Sequence, residues 1–221
     1  DEIYRGIKDQ CMRYQLNILG GDTVRTPGPM VWTVTIIGEV PKGTAVMRSG
    51  AKVGDVVGLT NYVGYAATGL GALSYNLVGY DMTKVGHQRP EPQIELGQKL
   101  RQLGIHSMND ISDGLGSELN EIAAASNVSI VIEEQAIPLH EETYALAKHL
   151  QTKPVDYALY GGEDFQLVFT APKSLVPKLE QLAGITLIGE VVSGPAQVQM
   201  VTPDKTIKTI EAKGYNHFHE S

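Results

Sequence analysis

Three segments of this sequence set glycine directly beside carboxylates, each at a junction between a strand or turn and a helix. They are Gly20-Gly21-Asp22-Thr23, Asp110-Ile111-Ser112-Asp113-Gly114 and Gly161-Gly162-Glu163-Asp164. Glycine lets a phosphate or metal come close to the backbone, and hard cations such as Mg²⁺ take carboxylate and water oxygens. The combination suits a metal-bridged polyphosphate. Each segment also has a plainer reading. Asp22 after two glycines is a good turn residue, because aspartate bonds its own backbone, and on local pattern alone that reading is ahead. A helix N-terminus uses one capping side chain, so Asp110, Ser112 and Asp113 offer more candidates than a cap needs. Glu163 and Asp164 read equally well as a solvated turn before an apolar strand.

The basic counterparts are Arg48 and Arg89. Arginine carries a planar fork of donors suited to phosphate, although a surface arginine is most often simply solvated. Tyr215, His217 and Phe218 close the chain in GYNHF, a pattern that reads as an aromatic plug docking the C-terminus. His87, His106 and His140 show no metal-ligand spacing. There is no G-x-x-x-x-G-K-[ST] string, GLGALS lacks the third glycine of a dinucleotide fingerprint, and no G-x-S-x-G elbow or plausible Cys and His pair is present. Phosphate binding would therefore run through carboxylate and metal.

Certain elements must position these residues. Ile3, Ile7, Cys11 and Tyr14 fall at helical spacing, which predicts a helix over residues 2–14. LNILGG and MVWTVTIIGEV read as strands of one sheet, the second because it is rich in β-branched residues. VGDVVGLT is predicted as a strand and GYAATGLGALSYNLV as a glycine-rich helix. Residues 79–92 contain Gly79, Gly86, Pro90 and Pro92 and read as an irregular connection. A helix over 92–103 has proline at its start and Gly104 just past its end. IHSMNDISDG is expected as a turn, followed by a helix over 115–126 with Leu115, Leu119 and Ile122 on one face. VSIVIEE is expected as a strand and HEETYALAKHL as a helix. DFQLVFT and ITLIGEVV read as strands flanking the helix SLVPKLEQLAG, a βαβ unit that normally implies a right-handed crossover. AQVQMVT and KTIKTI form a hairpin around PDK. The fold class is α+β, with residues 1–45 read as a remnant of one domain and 46–221 as a second, mixed α/β domain.

At 221 residues, 42% hydrophobic and 19% charged, the chain has an ordinary globular composition. A net charge of −7 argues against nucleic acid or an anionic membrane surface as partner. The lone Cys11 permits no intrachain disulfide, and no apolar run is long enough to span a membrane, so the cytoplasm is the expected location. The chain opens at Asp1 already inside an amphipathic pattern, and the expectation is that a beginning is absent.

Taken together and in order, GGDT, RSGAKVGD, RPEP, NDISDGL, YGGEDFQL and GYNHF resemble the thiamine-monophosphate kinase family. That family lies within the superfamily of aminoimidazole ribonucleotide synthetase and selenophosphate synthetase. NDISDGL and GGED are specific in combination, whereas GGDT alone is not. The resemblance implies an aminoimidazole ribonucleotide synthetase-like C-terminal domain preceded by a remnant of the N-terminal ATP-binding domain. It implies a Mg²⁺-dependent kinase that uses ATP to convert thiamine monophosphate to thiamine diphosphate in thiamine biosynthesis, and a homodimer when full length. It further implies that Asp22, Asp110 and Asp113 hold Mg²⁺. Gly21, Asp22, Arg48 and Ser112 would meet ATP, Glu163 the thiamine moiety, and Phe218 or Tyr215 would stack on it. Family members begin with roughly a hundred further residues, by domain-size reasoning. Rival readings are another ATP-using enzyme of the superfamily, one that activates an amide or selenide, and an inactive fragment that serves only as a binding module.

Overall fold

The computed structural model describes residues 2–213. The chain forms two compact units, residues 1–39 and 40–221. In the first, α1 (Glu2–Arg13) buries none of its residues. Tyr4 organises this unit: its hydroxyl shares a 3.0 Å hydrogen bond with Thr23 Oγ1, and its ring meets Trp32 edge-on at 6.0 Å. The strands expected in LNILGG and MVWTVTIIGEV do not form, and Leu19, Val34, Ile36 and Ile37 are exposed. High β-propensity is not enough for a strand, because its N–H and C=O groups need a neighbouring strand to pair with.

Among the described residues the second unit is built on seven strands: β1 (Asp55–Thr60), β2 (Ser107–Asp110), β3 (Ser129–Glu133), β4 (Leu167–Pro172), β5 (Ile185–Val192), β6 (Gln197–Val201) and β7 (Ile207–Ile210). Their order in the sheet is β2-β4-β1-β5-β3-β6-β7. All neighbours are antiparallel except β3 and β6. All six residues of β1 are buried, as expected for a central strand covered on both faces. Val57 and Leu59 join one hydrophobic cluster with Leu115, Leu119 and Ile122 of α5 (Leu115–Ser126). Val56, Phe169 and Ala171 join another on the opposite face with Leu100 of α4 (Ile94–Leu103). Full burial of each large aliphatic chain stabilises by about 2 kcal/mol before conformational entropy is counted.

Strands β4 and β5 run in the same direction within one sheet, as the βαβ reading expects, with β1 between them and antiparallel to both. Two expectations need correction here. The intended helix over 174–184 shrinks to a 3-10 turn and a four-residue α8 (Val176–Leu179), with Pro177 near its start. The connection over 79–92 contains a helix, α3 (Asp81–Gln88), packed on α2 (Tyr65–Ser74). Its first turn is capped from elsewhere: Glu142 of α6 (Glu141–Leu150) accepts the N–H of Thr83 at 2.8 Å and of Met82 at 3.3 Å, and the Thr83 hydroxyl at 2.7 Å. Glycine makes the α2–α3 approach feasible, since a Cβ at Gly86 would strike the Tyr65 ring. One further helix, α7 (Pro154–Tyr160), leads into the Gly161-Gly162 pair.

Candidate active site

The site forms where β2 ends and β4 begins. Part of the turn expected in IHSMNDISDG is in fact strand, and it delivers Asp110 at the last position of β2, opposite Leu167. Pairing then continues beyond the strands: Ile111 N donates to Gln166 O at 2.8 Å, Phe165 N to Ile111 O at 2.9 Å, and Glu163 N to Ser112 O at 2.8 Å. The two most specific motifs, NDISDGL and YGGEDF, are therefore laid against each other as one structure. Gly162 is required there, because a Cβ would run into the Ser112 carbonyl. Gly114, at φ +102, sits against the Leu159 carbonyl in a conformation that side chains avoid.

Glu163 (φ 67) and Phe165 (φ 48) both occupy the left-handed region, on either side of the buried Asp164. Such positions cost about 1–2 kcal/mol each and persist only when surrounding contacts hold them. Asp164 is one of those contacts. Its carboxylate accepts the N–H of Gly64 at 2.5 Å and of Ala66 at 2.8 Å, clamping the YGGEDF turn to the N-terminus of α2. Burial pushes its carboxyl up to about 6, while the N–H groups of Ala66, Gly64 and Tyr65 pull the other way. The carboxylate in this motif with a structural task is thus Asp164, and Glu163 is left exposed.

Behind the 110–114 loop lies a polar network. Glu118, on the buried face of α5, is only 2% exposed. Its Oε1 accepts the Asp113 N–H at 3.2 Å and the Ser112 hydroxyl at 3.3 Å, and its Oε2 accepts from Asn109 Nδ2. Asn109 Nδ2 also donates to Glu121 Oε2 at 3.0 Å. Arg48 Nε donates to Asn109 Oδ1 at 2.9 Å and pairs with Glu121 Oε2 at 3.0 Å. Burial pushes the Glu118 carboxyl up to about 7; the Glu121 and Asp110 carboxylates add to the rise, and the Asp113 N–H and Ser112 hydroxyl oppose it. Sequence reading missed Glu118, Asn109 and Glu121. For Glu118 a signal existed, since it lies at helical spacing from Leu115 and Ile122 and so on the apolar face.

Asp110, Ser112, Asp113 and Glu163 are thus brought together, with Arg48 joined to them through Asn109. Asp110 and Asp113 are exposed, and Ser112 is half-buried. Gly21 and Asp22 belong to the first unit, where Asp22 Oδ1 accepts the N–H of Thr23 at 2.8 Å, a turn role. Tyr215 and Phe218 lie outside the described residues. Beside Asp110 opens an apolar groove of about 520 Å³ walled by Pro92, Ile94, Met108, Phe165 and Leu167.

Among the described residues no three His, Cys, Asp or Glu side chains converge to hold a metal. Two exposed carboxylates on a glycine-backed loop nonetheless fit the way Mg²⁺ is held beside nucleotides, by one or two carboxylates with phosphate and water oxygens completing the octahedron. No helix among the described residues is long and apolar enough to cross a membrane.

The family described as "AIR synthase related protein, C-terminal domain" matches residues 52–201, the region that carries the sheet and this site. Two curated thiamine-monophosphate kinases align along nearly the whole chain. That of Bacillus subtilis is 39% identical over 98% of this chain and 69% of its own length. That of Escherichia coli K12 is 36% identical over 93% of this chain and 64% of its own. Among solved structures, AaThiL complexed with AMPPCP and TMP superposes with a TM-score of 0.66 at 33% identity, covering 78% of this chain and 54% of that one. The chain belongs to the thiamine-monophosphate kinase family of the AIR synthase-related proteins, and spans about two thirds of the length of these curated relatives.

Proposed function

We propose that this protein is a kinase that transfers the γ-phosphoryl group of ATP to thiamine monophosphate, giving thiamine diphosphate, and that it does so with Mg²⁺. The observation that carries the reading is the union of NDISDGL with YGGEDF into one surface bearing Asp110 and Asp113. The ligands named for AaThiL, AMPPCP and TMP, support the two substrates.

The acceptor phosphate is already ionised near neutral pH, so no strong general base is needed. Charge repulsion is the obstacle: two like charges 4 Å apart at an effective dielectric of 20 repel by roughly 4 kcal/mol. A bound Mg²⁺ would supply positive charge to offset this repulsion. In this reading Asp22 of the first unit and Asp110 and Asp113 of the second are each Mg²⁺ ligands, while Gly21, Asp22, Ser112 and the Arg48 guanidinium are ATP contacts. Glu163 contacts the thiamine moiety, and Phe218 or Tyr215 stacks on it. The apolar groove beside Asp110 offers a place for the uncharged part of a substrate whose phosphate lies at the carboxylates. The reading extends to residues 1–45 as part of an N-terminal ATP-binding, dimer-forming domain, to a homodimer when full length, and to a cytoplasmic enzyme.

The test is an assay with ATP, Mg²⁺ and thiamine monophosphate with identification of the product. It is run on this chain and on a version extended at its N-terminus to the length of the relatives. Thiamine diphosphate formed by either supports the reading. ATP consumed without thiamine diphosphate points to another enzyme of the superfamily, and no ATP binding by either polypeptide sinks the enzyme reading.

A further inference from the structure

Resting on the metal role proposed above, we infer that Glu118, gripped by Asn109, is a positioning residue that sets the Asp110–Asp113 loop in its cation-binding shape. Glu118 touches no substrate position itself. It is a buried carboxylate whose two oxygens serve two segments: Oε1 takes the Asp113 N–H and the Ser112 hydroxyl, and Oε2 takes Asn109 Nδ2. With the backbone of the loop held from below, the Asp110 and Asp113 side chains are left on the exposed side. The opposite flank of the loop is held by the backbone bonds of Ile111 to Gln166 and Phe165 and by the Glu163 N–H on Ser112 O, so Glu118 supports the side that these leave open.

The same network reaches Arg48. Asn109 is 5% exposed and stands at the crossing, accepting from Arg48 Nε while donating to Glu118 and Glu121. One buried amide therefore keeps the arginine proposed for the ATP phosphates in register with the carboxylates proposed for the metal. Groups that orient metal ligands without touching the metal commonly change its affinity 10- to 100-fold when removed.

The experiment uses the full chain and Mn²⁺ as a paramagnetic stand-in for Mg²⁺, followed by electron paramagnetic resonance, together with amide hydrogen exchange in the absence of metal. Glu118→Ala is expected to weaken Mn²⁺ binding about tenfold or more. It should also speed exchange of the Asp113 amide at least about tenfold, with exchange in α6 unchanged. Glu118→Gln tests the same point without a cavity. Its amide nitrogen cannot accept, so it must give up either Asn109 or the loop, and a loss of roughly threefold or more in Mn²⁺ affinity is expected. A glutamine variant with Mn²⁺ affinity and Asp113 exchange both unchanged overturns the inference, also where the alanine variant does not fold. If Asp110→Asn weakens Mn²⁺ binding while Glu118→Ala leaves it within about twofold, the positioning role falls and the metal role stands. If the unsubstituted chain takes up no Mn²⁺, both fall.

Discussion

Asp110, at the end of β2, and Asp113, on the loop that follows, are exposed on a segment whose backbone is bonded on both flanks. In an active, N-terminally extended enzyme, Asp110→Asn or Asp113→Asn is expected to lower turnover by at least about 10²-fold, the effect of losing one electrostatic stabiliser. Steady-state kinetics at saturating Mg²⁺ check this. Glu163→Ala should act differently, raising the KM for thiamine monophosphate more than it lowers kcat, and an unchanged KM removes Glu163 from the acceptor site. Asp164 yields a prediction about pH. Its carboxyl rises from an ordinary 3.8 to about 6 on folding, so the native state holds the proton more tightly than the unfolded chain. That contribution to stability is fully present below pH 3.8 and is lost as pH rises through about 6. Relative to Asp164→Asn, which does not titrate, the unsubstituted protein should lose about 3 kcal/mol across this window, read from denaturant melts at a series of pH values.

At the scale of elements, α3 shows how a helix can exist against its local sequence. Gly86 weakens it, yet Glu142 supplies acceptors for its first free N–H groups from 59 and 60 positions away in the chain. Glu142→Ala should cost about 1–2 kcal/mol and speed amide exchange in residues 81–84, as removal of a capping side chain does. The converse case is MVWTVTIIGEV, whose residues favour a strand but have no strand beside them among the described residues of their unit. Helix α5 joins both themes. Its apolar stripe was plain from Leu115, Leu119 and Ile122, while the carboxylate set into that stripe, Glu118, is stable only because Asn109, Ser112 and Asp113 meet it.

For the whole molecule, both hydrophobic clusters are drawn from residues 46 onward, and α1 buries nothing. Removing residues 1–39 should therefore leave a cooperatively folding protein. Its Tm should lie within about 3 °C of the parent, the shift expected for roughly 1 kcal/mol in a domain of this size. Calorimetry on the shortened chain is the check, and loss of a single sharp transition would show that the first unit contributes to the core.

What was legible in the amino-acid order was local. The β1, β3, β4, β5 and β6–β7 strands and the α1, α2, α4, α5 and α6 helices follow from periodicity and from glycine and proline at their ends, because those signals act within a few residues. The glycine-carboxylate motifs were legible for the same reason, as was their membership of one family. The tertiary structure alone decided that β1 separates β4 from β5, that Glu142 builds α3, and that Asp164 clamps a turn while Glu163 stays exposed. It alone decided that Arg48, Asn109 and Glu118 stand in one network behind Asp110 and Asp113. Those outcomes depend on which distant groups satisfy a buried donor or acceptor, and such pairings leave no periodic trace along the chain.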